Sequence, residues 1–132
     1  MSEQDNVEVV RHAYENFKTG DIGALIEQMS EDVDWRLPEI AGVPFAGARR
    51  GHRQVSEFFT SLADSQDVLS FEPREFVAQG DKAVALGTYN WRVKRTGCEY
   101  GGDWAHVFTV RDGRIAGFHE YMDSARAEAA FR

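Results

Sequence analysis

Apolar and polar residues alternate through most of 68–122, as a half-buried strand requires. Three turn signals cut that stretch: Gln79-Gly80-Asp81-Lys82, Arg95-Thr96-Gly97 and Arg111-Asp112-Gly113-Arg114. The pattern predicts four strands, near 68–79, 82–95, 98–111 and 114–122, folded back and forth as one antiparallel meander. Upstream the period becomes helical. Asp5 or Asn6 is placed to cap a first helix whose apolar face is Val7, Val10, Tyr14 and Phe17, and Gly20 ends it. Asp21 caps a shorter helix carrying Ile22, Leu25, Ile26 and Met29. Val33, Trp35 and Leu37 alternate with Asp32, Asp34 and Arg36 in a short strand over 31–37 that stops at Pro38. The segment 38–51 holds Gly42, Pro44, Gly47 and Gly51 and reads as a long loop, the kind that often serves as a lid or rim. A third helix over 51–63 presents Val55, Phe58, Phe59 and Leu62 on one face, and 124–131 reads as a last helical turn over the sheet.

Helix, helix, strand, helix and then four strands make an α+β domain, with three N-terminal helices on one side of an antiparallel sheet. A twisted sheet of this kind curls, so the expected shape is a cone with a pocket between sheet and helices. The 132 residues, 42% hydrophobic with three prolines, suit one domain spanning 1–132 with one core.

Charge and cysteine content narrow the function. The net charge is −7, and Arg49, Arg50, Arg53, Arg92, Lys94 and Arg95 are interleaved with acids or sit near turns, so no basic stripe points to nucleic acid. Cys98 stands alone beside a turn, which leaves no internal disulfide and no dependence on an oxidising compartment. Residues 1–6 are acidic and polar, unlike a secretion signal, and no apolar run approaches the length of a membrane span; the expected location is the cytoplasm. His12, His52, His106 and His119 show no metal-ligand spacing, so no metal is expected.

The candidate chemistry lies in the last two strands. Trp104, His106, Phe108 and Val110 share the bulkier face of 98–111 and are assigned to the concave side, with Gly87, Tyr89, Trp91 and Val93 from the strand before. In the last strand Ala116, Phe118, Glu120 and Met122 share one face, and Ile115, Gly117, His119 and Tyr121 the other. A two-residue loop at Asp112-Gly113 would set His106 opposite His119. A three-residue loop at Arg111-Asp112-Gly113 would pair Val110 with Arg114 and put Glu120 on the face of His106. The second is favoured, because it brings Phe118 and Met122 inside. A carboxylate and an imidazole in an apolar pocket are equipped to move protons. The alternative for His106 is a core histidine bonded to a neighbouring tyrosine, and for Glu120 an outward strand acid.

The order of elements and several short motifs resemble the SnoaL-like group, whose relatives include ketosteroid isomerase, limonene epoxide hydrolase, polyketide cyclases and nuclear transport factor two. The motifs are Tyr14-Glu15-Asn16-Phe17-Lys18-Thr19-Gly20-Asp21, Asp32-Val33-Asp34-Trp35, Pro44-Phe45-Ala46-Gly47-Ala48-Arg49-Arg50-Gly51-His52, Asp103-Trp104-Ala105-His106-Val107-Phe108, Asp112-Gly113-Arg114-Ile115 and Glu120-Tyr121-Met122-Asp123. The resemblance implies a cone fold that hosts several reactions as well as plain binding. It places Leu37 at the isomerase's base position and His106 at its acid-donor position. It sets Tyr89-Asn90-Trp91 where the epoxide hydrolases carry Arg-x-Asp, and an inward acid near Glu120. A pocket acid with a nearby histidine is most similar to the polyketide cyclases. The resemblance also implies a homodimer through the outer sheet face, where Val84, Leu86 and Thr88 lie. The expected function is therefore a cofactor-independent isomerase, cyclase or hydrolase acting on a small hydrophobic molecule. His106 and Glu120 would be catalytic, and Tyr14, Trp35, Tyr89, Trp91, Trp104, Phe118 and Met122 the pocket walls. The alternative is a non-catalytic binding or dimerisation module.

Overall fold

The computed structural model describes residues 2–132. In chain order the elements are α1 (Glu3–Lys18), α2 (Ile22–Glu27), β1 (Met29–Arg36), β2 (Ala48–Arg50), α3 (Gly51–Ser65), β3 (Gln66–Gln79), β4 (Lys82–Val93), β5 (Glu99–Arg111), β6 (Arg114–Tyr121) and α4 (Ser124–Phe131). The α+β architecture is as expected, and β3 to β6 form the antiparallel meander.

The sheet is open and has six strands in the order β2-β1-β6-β5-β4-β3. It is mixed, whereas an antiparallel sheet was expected: β1 pairs antiparallel with β2 but parallel with β6. A short alternating strand carries no mark of the neighbour it joins. A parallel neighbour needs a long crossover, and here α3 and the meander supply it. β2 lies inside the stretch read as loop, too short to leave a period in the sequence.

The start of α1 also differs from expectation. Ser2, not Asp5 or Asn6, is the cap: its hydroxyl accepts the Asp5 N–H at 3.1 Å, and the Asp5 carboxylate accepts the Ser2 N–H at 3.1 Å. Asn6 already lies in the helix and is buried. Its side-chain amide donates to the Gly80 carbonyl at 3.3 Å, and the Glu3 carboxylate accepts the Gly80 N–H at 2.7 Å. The first turn of α1 is thus tied to the β3–β4 turn, which fixes where Tyr14 enters the interior. Gly20 has φ +77°, and Asp21 caps α2 by accepting the Ala24 N–H at 3.1 Å, both as the sequence predicts.

Segment 38–47 is a plug. Ile40, Val43 and Phe45 are buried, as is Leu37 just before them. The Arg49 guanidinium donates to the carbonyls of Phe45, Ala46 and Pro44 at 2.9, 3.0 and 3.3 Å. Those bonds hold a strand-free backbone against the core and pair three of its carbonyls. At the far end α4 is fastened by the β4–β5 hairpin: the Thr96 hydroxyl donates to the Ala130 carbonyl at 2.7 Å, and the Arg95 guanidinium bonds the Phe131 carbonyl. Phe131 then meets Phe45 and Tyr100 edge-on, with centroids 5.8 and 6.3 Å apart.

The helices cover the concave side of the sheet. Met29, Val33, Val55, Val93, Val10 and Ile115 are its most deeply buried large side chains, each contributing roughly 1.5–3 kcal/mol by burial. Strand β4 presents Ala83, Ala85 and Gly87 to that side, facing the bulky Phe108, His106 and Trp104 of β5. Gly87 is needed for a close approach: a Cβ there would come within 2.3 Å of the Glu72 carbonyl and 2.4 Å of the Trp104 ring.

Candidate functional site

The register of the last hairpin decides which side chains meet, and it follows neither of the two simple turn readings. Asp112 and Gly113 form a two-residue loop with φ +52° and +76°, so Arg111 pairs with Arg114 and Val110 with Ile115. The favoured three-residue loop is therefore incorrect. The register then shifts between Val110 and Thr109, and Thr109 pairs with Gly117, which leaves Ala116 as a bulge residue. The extra residue moves every later side chain of β6 to the opposite face. Glu120 thus comes directly opposite His106, and His119 is turned outward beside Val107. The expected inward side chain is correct, but a bulge and not the turn delivers it. Beside the bulge, a Cβ at Gly117 would come within 3.3 Å of the Thr109 hydroxyl, so a residue without one fits there.

Three buried side chains form a chain of hydrogen bonds. The Tyr14 hydroxyl lies 2.7 Å from His106 Nδ1, and His106 Nε2 lies 2.6 Å from Glu120 Oε2. Their relative exposures are 7%, 4% and 8%, so bulk solvent barely reaches these groups. One proton arrangement satisfies all three: the Tyr14 O–H donates to Nδ1, and Nε2–H donates to the carboxylate. Burial, with the Glu120 charge adding to it, pushes the Tyr14 phenol well above its usual range, so the phenol keeps the proton that this arrangement directs at Nδ1. Both imidazole nitrogens are then occupied by protein groups. Glu120 Oε1 has no such bond among the described residues, and this oxygen is the group left to meet a guest.

Next to this chain is a cavity of about 70 Å³, walled almost wholly by apolar and aromatic side chains. Among the expected wall residues, Tyr14, Trp35, Tyr89, Trp91, Phe118 and Met122 line it, as do His106 and Glu120. Trp104 does not: its ring stacks on His106 at 4.0 Å and rests on Gly87. Phe118 stacks on Trp35 at 3.9 Å and meets His106 edge-on at 4.7 Å, which fixes the imidazole plane. Sequence reasoning missed two polar wall residues. Tyr100 has the same parity as Trp104 and His106, a signal that extends their face toward the start of β5. Gln66 sits at the α3–β3 joint, where no period reaches. The Tyr100 hydroxyl donates to Gln66 Oε1 at 2.7 Å. Leu37, at the isomerase's base position by resemblance, is a cavity wall, while Glu39 is exposed with its carboxylate against Gly47. Phe17, Leu62 and Phe71, only half-buried, mark the approach between α1, α3 and β3.

Among the described residues no three His, Cys, Asp or Glu side chains converge as a metal site would require, and no helix is long and apolar enough to cross a membrane. Cys98 is exposed and unpaired.

N-terminal helices over a six-stranded open mixed sheet, with an apolar cavity between them, define the NTF2-like fold. The chain belongs to the SnoaL-like domain family, whose model matches residues 10–118. A solved NTF2-like protein from Burkholderia xenovorans LB400 is 32% identical with a TM-score of 0.90, over 100% of this chain and 99% of that one. An NTF2-like protein from Burkholderia pseudomallei K96243 is 26% identical with a TM-score of 0.84, over 99% and 98% of the two chains. TerC, co-crystallised with polyporic acid, is 28% identical with a TM-score of 0.82, over 96% and 98%. No curated protein matches the chain.

Proposed function

We propose that this SnoaL-like protein is a cofactor-independent enzyme that moves a proton on a small hydrophobic molecule held in the cone cavity. The observation that carries the proposal is Glu120, the single carboxylate of the lining, with one oxygen held by His106 and the other free. In this reading Glu120 Oε1 is the general base, and returns the proton as general acid. Tyr14 and His106 act through Glu120: Tyr14 orients the imidazole, and the imidazole holds the Glu120 carboxylate in its rotamer. The reaction type is an isomerisation, cyclisation or hydrolysis. A relative co-crystallised with polyporic acid, TerC, supports a small organic guest.

With an identified substrate, Glu120→Gln is expected to fold normally and lose roughly 10²–10⁴-fold in turnover. Full activity in that variant rejects the assignment. A second reading, binding without turnover, is favoured by the saturation of both His106 nitrogens. It predicts that a ligand raises the melting temperature of wild type and Glu120→Gln alike while no product forms.

The proposal extends to a cytoplasmic homodimer joined through the outer sheet face. Val77, Val84 and Val107 align across that face, with Leu86, Ala105 and Tyr121 in the next row, and Val77 and Tyr121 are 59% and 52% exposed. Sedimentation equilibrium at micromolar concentration showing only a 14.9 kDa species would remove the dimer.

A further inference from the structure

Charge is unbalanced inside the cone. Glu120 is the one carboxylate of the cavity lining, and among the described residues no Lys or Arg side chain lines it. His106 supplies no counter-charge. In the proton arrangement above its ring is neutral, accepting from Tyr14 at Nδ1 and donating to Glu120 from Nε2. Arg49 lies 5.4 Å from the centroid of Phe58, a wall ring, but it bonds the carbonyls of Pro44, Phe45 and Ala46 and does not line the cavity. A buried charge is costly unless it is paired. Here a neutral donor holds one carboxylate oxygen, and the other is left without a partner.

We propose that the cavity takes an organic cation, a protonated amine on a small aromatic or alicyclic body, whose N–H bonds Glu120 Oε1. The inference rests on the small-molecule reading above, names the class of molecule, and holds whether the guest is turned over or only bound. The Glu120 carboxylate attracts a cation in this dry space and repels an anion. Its charge is felt elsewhere on the wall: burial, and after it the Glu120 charge, raises the phenols of both Tyr14 and Tyr89. The wall itself is rich in aromatic rings, Trp35, Tyr89, Trp91 and Tyr100 among them, and the π-electrons of such rings attract ammonium groups. Two buried donors without partners, the indole N–H groups of Trp35 and Trp104, would favour an anion if they opened on the cavity. Both have almost no accessible surface, so neither is open to a guest. The net charge of −7 acts in the same sense, drawing cations toward the protein and holding anions off.

The test uses the full chain and three probes of similar size at neutral pH: benzylammonium, its neutral isostere ethylbenzene, and benzoate. Calorimetry on wild type is expected to show benzylammonium bound roughly tenfold or more tightly than benzoate, a comparison that needs no variant. Glu120→Gln keeps the shape and removes the charge. It is expected to bind benzylammonium roughly tenfold more weakly than wild type does, and ethylbenzene unchanged. Benzoate bound by wild type as tightly as benzylammonium, or an affinity for benzylammonium that is the same in Glu120→Gln, overturns the cation assignment. Ethylbenzene binding to wild type in that case leaves the small-molecule reading intact. Failure of wild type to bind any of the three removes both.

Discussion

Replacing Tyr14 with Phe isolates one hydroxyl at the head of the buried hydrogen-bond chain. The ring stays, with its neighbours Phe71, Phe76, Trp104, His106 and Phe108 at centroid distances from 5.8 to 6.1 Å. Packing is therefore conserved, and no cavity larger than an oxygen atom opens. What changes is that His106 Nδ1 loses its hydroxyl partner at 2.7 Å, in a ring with only 4% exposure. An orphaned buried acceptor costs about 1–3 kcal/mol. The middle of that range, about 2 kcal/mol, corresponds to a fall of about 7 °C in Tm for a chain of this length. The assay is urea unfolding, with the m-value required to stay constant so that the change belongs to the native state. The His106→Leu variant extends the logic: it orphans the Tyr14 hydroxyl and strands the Glu120 carboxylate, with an expected loss of about 3–5 kcal/mol. In Tyr14→Phe/His106→Leu the two costs should fall short of their sum by about 1 kcal/mol or more, because the same bond is removed twice. Additivity within about 0.5 kcal/mol, or a Tyr14→Phe variant as stable as wild type, would refute the buried chain of bonds.

Alkaline pH supplies further checks. Tyr14, Tyr89 and Tyr100 are all held above the usual phenol range by burial, so the folded protein keeps three protons that the unfolded chain releases above about pH 10. The unfolded state then binds fewer protons than the native state, and stability falls as pH rises, by about 1.4 kcal/mol per unit for each phenol. Stopped-flow absorbance near 295 nm should show these three rings ionising only as the protein unfolds; their ionisation in the native state near pH 10 would contradict the burial. Because burial alone is the larger cause of all three shifts, the native phenols stay protonated without the Glu120 charge, and Glu120→Gln should lose stability with rising pH at the same rate as wild type. A shallower loss in the variant would mean that the Glu120 charge, and not burial, keeps these phenols protonated.

Much of this protein is set by local chemistry. Strands β3 to β6, the three main helices and the turns between them follow from period, caps and glycines, each acting over a few residues. So does the concave placement of Tyr89, Trp91, His106 and Phe108, because alternation holds along an uninterrupted strand. Tertiary structure decided the rest. Which edge β1 joins depends on the crossover that brings it beside β6, and nothing within eight residues records that. The bulge at Ala116 reverses the facing of β6 beyond it, and a bulge is selected by packing against two neighbouring strands at once. Glu120 meets His106 only because of it. Tyr14 meets His106 only because α1 is anchored at Gly80, so a residue read from the helix period as a wall becomes the donor at one end of the bonded chain. Local signals specify which side chains each segment can offer; the close-packed interior specifies which of them touch, since distant strands and helices must agree on register before any of those contacts exists.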